Sequence, residues 1–454
     1  MSESLTPNTN QSELESAIRS IGQRLAEAMP SGTRNPVKAL DARAMELASG
    51  DRELRAALFR FVDVVPACRS LEDVARHLRG FLAELPEAPP SLSAALRVTD
   101  IRAARTALGA AAAAGVRHMA HRFIVGEDPA AAIRVLRGLW ERGVASSVDL
   151  LGEATVTQDE ADVYAARCAE ALRHIHAQAG TWPARPVLEQ DSSGSLPRTN
   201  VSVKISALTP LLRPDAPALG ERDAAARLLP LLRTGQELGA HIHVDMESLD
   251  SREAVLELIL ELLSGQEFLH GPSVGMVLQA YLRDSPEQLE TILSWARSTR
   301  RRPPLQIRLV KGAYWDHELV EARQQGWPAP VFERKADCDR NFEGLTRVLL
   351  DARPAVRVAV ASHNLRSVSH AIAYNRLSGG QDQDLEIQVL RGLGDELQDA
   401  LAANGFRVRT YCPVGDLVAG MAYLVRRLLE NTSNESFLHE QASGRSLDEL
   451  LAAP

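Results

Sequence analysis

The sequence contains few cysteines, and none of them pair at a spacing typical of metal or redox sites. Only Cys68, Cys168, Cys338 and Cys412 occur in 454 residues, and no two form a CxxC motif. This usage is typical of reduced thiols in a cytosolic protein rather than of a disulfide framework. A chain of this length can build a large core without covalent crosslinks.

A secretion signal and a long apolar run are also lacking. The first residues, MSES, are polar, and no basic stretch followed by an apolar one opens the chain. No apolar run approaches the ~18 residues that a membrane span needs. We therefore expect a cytoplasmic protein that would contact a membrane only peripherally, on its inner face.

The sequence has little concentrated positive charge. Its net charge is −8, and its one basic run, residues 300–302, closes a predicted helix, where cations favour the exposed carbonyls. A nucleic-acid partner requires a basic surface, so we expect none.

The pattern of apolar residues predicts two regions of different architecture. Residues 14–115 show helical spacing, whereas from about residue 145 short β-branched runs alternate with amphipathic helical runs. The predicted strands are residues 146–151, 201–206, 240–246, 273–279, 305–311, 356–361, 385–390 and 406–411. Residues 183–200, with three prolines and an SSGS stretch, are predicted to be a surface loop.

Eight strands alternating with helices predict an α/β fold, a (βα)8 TIM-type barrel, preceded by an all-helical N-terminal arm. A doubly wound sheet is the alternative, but it would normally open with a glycine-rich phosphate loop, which the sequence lacks. We predict a helical arm at 1–118 with a disordered start, the barrel at 119–437 and a tail at 438–454.

Polar residues fall on the inward parity of most predicted strands. Because active sites of such barrels lie at the carboxyl ends of the strands, these residues are candidates for a site or for buried ion-pair layers. They are Ser202, Lys204, Ser206, His241, His243, Asp245, Gln279, Gln306, Arg308, Glu386, Gln388, Arg407, Arg409 and Tyr411.

A metal-dependent hydrolase is one alternative, because His241 and His243 would share a strand face. They begin their strand, at the wrong end for an active site, and no third ligand supports them, so we expect no metal. A helical scaffold with a degenerate barrel is a second alternative, and it predicts vacant catalytic positions.

Five segments together resemble the proline dehydrogenase family, in particular the catalytic half of bacterial proline utilisation A (PutA) proteins. They are LGEA at 151–154, VKISAL at 203–208, RLVKGAYW at 308–315, SHN at 362–364, and residues 411–437, which open with YCPVG. The resemblance covers about residues 119–437. A methylenetetrahydrofolate reductase, which has a related flavin barrel, is the rival flavoenzyme.

The resemblance implies non-covalent FAD across the barrel mouth. The positions similar to the family's flavin contacts are Gln279, Arg308, Val310, Gly312, Ala313, Trp315, Arg334, Lys335, His363, Asn364, Gln388, Glu430, Ser436 and Phe437. Arg334 and Lys335 resemble the pyrophosphate contacts, and a cation such as Arg308 beside the flavin N5 tunes the ring.

The resemblance also implies a site for L-proline, oxidised to Δ1-pyrroline-5-carboxylate by hydride transfer to flavin N5. Arg426 and Arg427 resemble a carboxylate clamp assisted by Lys204, and Asp245 resembles the carboxylate that orients these cations. The predicted catalytic residues are Arg308, Lys204 and Asp245. The predicted ring walls are Tyr314, Leu390, Tyr411 and Tyr423, and a tyrosine at 411 favours proline over hydroxyproline.

The implied partners are a quinone that accepts the electrons and a pyrroline-5-carboxylate dehydrogenase. Longer members of the family carry a DNA-binding module and an aldehyde dehydrogenase half, and this sequence resembles neither. We therefore expect either a stand-alone enzyme or the catalytic piece of a longer one, without a role in transcriptional repression.

Overall fold

The computed structural model describes residues 10–29, 52–85, 102–152, 155–416, 420 and 445–454. The strands in this part of the chain are β1 (Val144–Leu150), β2 (Gln190–Asp191), β3 (Gly194–Ser195), β4 (Asn200–Lys204), β5 (His241–Asp245), β6 (Ser273–Gln279), β7 (Leu305–Val310), β8 (Val356–Ala361), β9 (Leu385–Leu390) and β10 (Arg407–Val414). Eight of them are parallel and close into a barrel in the order β1, β10, β9, β8, β7, β6, β5, β4. The predicted TIM-type barrel is confirmed, and the doubly wound alternative is wrong.

Helices cover the outside of this barrel and precede it. In the described residues they are α1 (Gln11–Ala28), α2 (Arg52–Val64), α3 (Leu71–Ala83), α4 (Arg102–Phe123), α5 (Pro129–Glu141), α6 (Gln158–Ala179), α7 (Pro186–Glu189), α8 (Ile205–Leu208), α9 (Pro217–Leu238), α10 (Arg252–Ser264), α11 (Ser285–Thr299), α12 (Trp315–Gln325), α13 (Lys335–Asp351), α14 (Leu365–Leu377), α15 (Asp395–Ala403) and α16 (Leu447–Leu450). Short 3-10 helices lie at Val65–Ala67, Leu249–Ser251, Gln266–Phe268 and Asp382–Asp384. In the described part of the chain, no helix combines the length and the hydropathy that a membrane span requires.

Local sequence sets the ends of several of these helices. Thr157 and Glu160 form a reciprocal capping box at the start of α6, which satisfies two backbone donors that the helix leaves unpaired. Gly239 ends α9 in a left-handed conformation with φ of 59°, where a residue without Cβ is favoured. Such caps fix where each helix stops and therefore where the next strand enters the barrel.

The helices before the barrel pack in two separate groups. The helix α1 belongs to the main core, where Leu14, Ile18 and Leu25 are buried against the outer helices of the barrel. The helices α2, α3 and α4 share a smaller core of their own around Phe61 and Leu78. The sequence predicted one helical arm, whereas α1 in the structure is a part of the barrel's outer layer.

The segment 183–200 differs from its predicted surface loop. It contains α7 and the hairpin formed by β2 and β3, and Asp191 on this hairpin is buried at the amino ends of the strands. Asp191 pairs with Arg357 through Nε at 2.9 Å and Nη2 at 3.1 Å, and with Nη1 of Arg407 at 3.4 Å. The prediction was wrong because the two arginines are supplied by distant strands, which leave no signal near residue 191.

Candidate active site

The carboxyl ends of the barrel strands surround a cavity of about 680 Å³, within the size range of ligand pockets. Most of the predicted site residues in the described part of the chain line it. They are Lys204, Asp245, Gln279, Arg308, Val310, Gly312, Ala313, Tyr314, Trp315, Lys335, His363, Asn364, Gln388, Leu390 and Tyr411. The inward parity of the strands therefore brings together side chains that are up to 207 positions apart in the sequence.

The carboxylate of Asp245 joins three other strands at the floor of this cavity. Its Oδ1 accepts from Ser202 Oγ at 3.0 Å and from Arg308 Nη1 at 2.6 Å, and its Oδ2 accepts from Tyr411 Oη at 2.6 Å. Burial, together with the neighbouring carboxylates of Asp149 and Asp245, raises the pKa of the Tyr411 phenol well above its ordinary value. Tyr411 therefore stays protonated and remains a donor.

Lys204 forms an ion pair with Asp149, a residue that the sequence analysis missed. Burial alone would lower the pKa of Lys204, but the carboxylates of Asp149, Asp245 and Glu247 raise it above its ordinary value. The amine is therefore a fixed positive charge at the cavity. Asp149 has the same inward parity as Ser147 on β1, so extending the parity argument to the first strand would have found it.

Arg308 is held by residues on two sides of the barrel. Its Nε donates to Gln388 Oε1 at 2.6 Å, and its Nη1 donates to Asp245. Arg308 Nη2 and Gln279 Oε1 are buried, and each lacks a hydrogen-bond partner among the described residues. Unpaired buried polar atoms on a cavity wall indicate a polar ligand, since leaving them unsatisfied costs about 1–3 kcal/mol each.

The loop after β7 is shaped by Gly312. Its φ is 142°, and a Cβ at this position would lie 2.3 Å from the ring of Tyr281. We expected this glycine to permit a close backbone approach to the flavin. The close approach in the structure is to Tyr281, another residue that sequence reasoning missed.

His363 and Asn364 follow β8 and are fixed by local contacts. The backbone N–H of Leu390 donates to His363 Nε2 at 2.9 Å. The side chain of Asn364 caps α14 by accepting from the backbone N–H of Ser367 at 2.9 Å. Their positions on the cavity wall therefore depend on backbone geometry.

The remaining predicted residues lie elsewhere. Arg334 has an exposed side chain with Asp337 as its ion-pair partner at 3.8 Å, and it is not among the residues that line the cavity. Tyr423, Arg426, Arg427, Glu430, Ser436 and Phe437 lie outside the described residues. The cavity also has walls that the sequence analysis did not predict, including Glu247, Lys311, Phe332 and Asp339.

The barrel below the cavity is filled by further polar side chains of the inward parity. His241 and His243 are buried and hydrogen bonded to each other at 3.3 Å, and His241 also bonds Ser273 at 2.9 Å. Burial and the nearby arginines lower the pKa of both imidazoles well below the ordinary value. These histidines are therefore neutral packing elements of the barrel interior. Ser206, also predicted inward on a strand, lies on α8 and donates to Glu247.

Comparison with protein-family models gives two matches that together cover most of the chain. The proline dehydrogenase model matches residues 132–440. The model of the proline utilization A N-terminal domain matches residues 15–123. The first covers the barrel, and the second covers the helices that precede it.

Individual relatives agree with these models. The bifunctional protein PutA of Klebsiella aerogenes is 33% identical over 350 residues, which is 75% of this chain and 25% of that protein. Proline dehydrogenase of Deinococcus radiodurans is 29% identical over 321 residues, covering 71% of this chain and 89% of that one. The chain thus spans about a quarter of the bifunctional relatives it matches.

Solved structures show the same likeness in three dimensions. The structure of proline utilization A from Bdellovibrio bacteriovorus inactivated by N-propargylglycine superimposes with a TM-score of 0.88 at 36% identity, covering 97% of this chain and 44% of that one. Proline utilization A from Bradyrhizobium japonicum gives a TM-score of 0.72 at 27% identity, covering 97% of this chain and 46% of that one. The chain belongs to the proline dehydrogenase family.

Proposed function

We propose that this protein oxidises L-proline to Δ1-pyrroline-5-carboxylate with FAD as its cofactor. The observation that carries the proposal is the cluster of Asp245, Arg308 and Lys204 on one wall of a cavity at the carboxyl ends of the strands. A small zwitterionic substrate suits a wall that presents both fixed cations and carboxylates. The family membership supports the same substrate.

The residues of the cavity fit FAD. Arg308 Nη2 and Gln279 Oε1 are buried polar atoms without partners in the described part of the chain, and a heterocycle with carbonyl and N–H groups can satisfy both. Lys335 lies on the cavity wall at the start of α13, where a helix amino terminus adds to its attraction for a pyrophosphate. FAD, when bound, would supply the hydride acceptor at N5.

The protein's own residues would bind and orient both molecules. In this proposal FAD is bound by residues on the strands and on the segments that follow them. They are Gln279, Arg308, Val310, Gly312, Ala313, Trp315, His363, Asn364 and Gln388. The proposed FAD site is completed by Glu430, Ser436, Phe437 and the pair Arg334 and Lys335. The Asp245 and Gln388 contacts fix Arg308 in one orientation before any ligand arrives.

The substrate carboxylate is proposed to lie between Lys204 and the guanidinium groups of Arg426 and Arg427. The pKa of Lys204 is raised, so this side chain stays charged and attracts a carboxylate across the neutral pH range. Tyr314, Leu390, Tyr411 and Tyr423 would form the walls around the ring. The charged groups orient the substrate, and the walls exclude water from it.

The electron acceptor is proposed to be a quinone, which a protein in the cytoplasm would reach by peripheral contact with the membrane. A pyrroline-5-carboxylate dehydrogenase would consume the product. The bifunctional proteins that resemble this chain support such a pairing, because the matched part is only 25% of their length.

Reduction of the purified protein in the absence of oxygen tests the proposal. We expect a yellow protein whose flavin absorbance is bleached by L-proline but not by reduced folates. A colourless protein that takes up no added flavin, or bleaching by a folate alone, would contradict the proposal.

A substitution separates substrate binding from cofactor binding. Arg427→Met should keep the yellow colour and weaken proline binding, because one donor of the clamp is lost. Arg297→Met on the exposed surface of α11 removes the same charge far from the cavity and should change neither property. Unchanged proline turnover in Arg427→Met would rule out the clamp.

A further inference from the structure

Glu247 lies on the cavity wall just beyond the end of β5, two residues after Asp245. Its side chain accepts a hydrogen bond from the hydroxyl of Ser206 on α8, the short helix that follows β4. Glu247 and Lys204 also interact electrostatically. The carboxylate raises the pKa of Lys204, and the amine lowers the pKa of Glu247. A carboxylate therefore stands beside the cation that is proposed to bind the substrate.

The other ionisable groups beside Lys204 are committed to partners. Asp149 is almost fully buried and is paired with Lys204. Asp245 accepts hydrogen bonds from three side chains, so its two oxygens are both occupied. Both carboxylates are therefore held by ion pairs in the floor of the cavity.

Three further groups on this wall keep their protons or their contacts. The raised pKa of Lys204 and that of Tyr411 leave both protonated at neutral pH, so neither is a base. His363 uses Nε2 to accept from the backbone N–H of Leu390. Among the described residues on this side of the cavity, Glu247 is the carboxylate whose hydrogen bonding and ion pairing leave an oxygen for a ligand.

The proposed reaction requires a neutral nitrogen on the substrate. An alkyl ammonium has a pKa near that of lysine, about 10.4, so free proline carries its ring nitrogen protonated at neutral pH. A hydride cannot leave the carbon next to this nitrogen until the nitrogen has a lone pair to form the C=N bond. The enzyme must therefore remove one proton from the substrate nitrogen, or select the rare neutral form from solution.

We propose that the carboxylate of Glu247 is the base that accepts this proton from the ring nitrogen. The inference rests on the proposed function. One N–H bond of the substrate breaks, its electron pair stays on nitrogen, and an O–H bond forms on Glu247. The proton later passes to solvent, which restores the carboxylate.

The surroundings of Glu247 tune it for this task. Burial is the largest influence and raises its pKa, and the carboxylates of Asp245 and Asp149 raise it further. Lys204 and the Ser206 hydroxyl oppose this, and the net result is a pKa above the ordinary value of 4.5. Each unit of increase makes proton transfer from an ammonium tenfold less unfavourable.

Glu247→Gln tests the proposal through the pH profile of flavin reduction in single turnovers. Glutamine keeps the size of the side chain but cannot accept the proton. Reduction by proline near pH 7 should fall by about 10²-fold, a typical contribution of a general base, and should recover at alkaline pH, where proline supplies its own neutral amine. Glu247→Asp should restore a part of the rate, because the carboxylate is kept but withdrawn by one methylene.

Ser206→Ala supplies a second test, in which the pH dependence of flavin reduction is measured. If Glu247 had only a structural role, this substitution would not shift the pH profile. The hydroxyl favours the charged form of Glu247, so its removal should raise the pKa of this carboxyl. The acidic limb of the reduction profile should then shift to higher pH.

Binding of cyclopentanecarboxylate, a ring acid without nitrogen, should be equal in wild type and Glu247→Gln.

Controls keep failure of this inference apart from failure of the proposed function. Glu261→Gln removes the same charge from the exposed face of α10 and should leave the profile unchanged. If Glu247→Gln binds flavin normally and keeps the wild-type pH profile, the inference is overturned. If the wild-type flavin is not reduced by proline at any pH, the proposed function has failed instead.

Discussion

The phenol of Tyr411 donates a 2.6 Å hydrogen bond to Oδ2 of Asp245 across the mouth of the barrel. These residues lie on β10 and β5, which are not neighbours in the sheet. The other oxygen of Asp245 accepts from Arg308 on β7 and Ser202 on β4. One carboxylate thus links four strands at the floor of the cavity. We therefore expect its loss to lower the stability of the fold and to weaken substrate binding.

Asp245→Asn should destabilise the protein by about 3–5 kcal/mol, the usual cost of removing one partner of a buried ion pair. The amide keeps the shape of the side chain but leaves the Arg308 guanidinium without a counter-charge. Urea unfolding followed by circular dichroism measures this difference. Tyr411→Phe is the matched control, because it removes one hydrogen bond to the same carboxylate and should cost only about 1 kcal/mol. Equal stability of Asp245→Asn and the wild type would show that the ion pair contributes nothing net.

The floor of this site could be predicted because strand periodicity carries the information. Lys204, Asp245, Arg308, Gln388 and Tyr411 all lie at inward positions near the strand ends, and alternation alone orients them toward the same space. All eight barrel strands were predicted: three have the predicted bounds, and the ends of the other five differ by at most three residues. The resemblance to the family adds roles for these residues that periodicity cannot give, and these roles stay predictions.

Other parts could not be predicted, because their partners are supplied by distant segments. Asp191 lies in a polar, glycine-containing stretch with the composition of a loop, and only the closed barrel places Arg357 and Arg407 above it. Glu247 lies two residues beyond the last residue of β5, outside the strand, where alternation is no longer a reliable guide. The packing of α1 on the barrel likewise depends on an arginine 351 positions away, Arg366, which pairs with Glu15.

Because of Glu386, the free energy of unfolding of the barrel should depend on pH in the acid range. Burial alone would raise its pKa, but Arg409 and Arg407 lower it to about 2, from an ordinary value of 4.5. Since the folded pKa lies below the unfolded one, the stabilisation is fully present above about pH 4.5 and is lost as the pH falls toward 2. The difference corresponds to on the order of 3 kcal/mol.

Acid unfolding of Glu386→Gln checks this dependence. At neutral pH the variant should be less stable than the wild type, because two buried guanidinium groups lose their carboxylate. The gap between the two proteins should narrow between about pH 4.5 and 2, where the wild type protonates the same group. A constant gap over this range would mean that another group controls the acid limit.

Gly275→Ala should disturb the histidine pair inside the barrel. A Cβ at this position would lie 2.3 Å from Nδ1 of His243 and 3.0 Å from Nε2 of His241, and both rings are held by their hydrogen bonds. We expect a loss of about 1–3 kcal/mol, typical of overpacking in a core. Thermal unfolding should detect it as a lower Tm.

Gly344→Ala is the matched control for this substitution. An added Cβ there meets nothing within 4 Å, and the residue lies in the middle of α13, where alanine is favoured over glycine. This variant should be as stable as the wild type or more stable by about 0.5–1 kcal/mol. If both glycine variants behaved alike, the space around the histidines would not be limiting.

Asp191→Ala should weaken the fold at the end of the barrel opposite the cavity. Asp191 and Arg357 are each 3% exposed at their side chains, and Arg407 is fully buried against them. Removing the carboxylate leaves two buried guanidinium groups without this counter-charge, so we expect a loss of about 3–5 kcal/mol in urea unfolding. Asp382→Ala breaks a similar but half-exposed pair with Arg376 and should cost at most about 1 kcal/mol. Because neither carboxylate lines the cavity, the KM for proline should stay unchanged in both variants. A raised KM in Asp191→Ala at a temperature where the protein remains folded would show that this end of the barrel is coupled to the site.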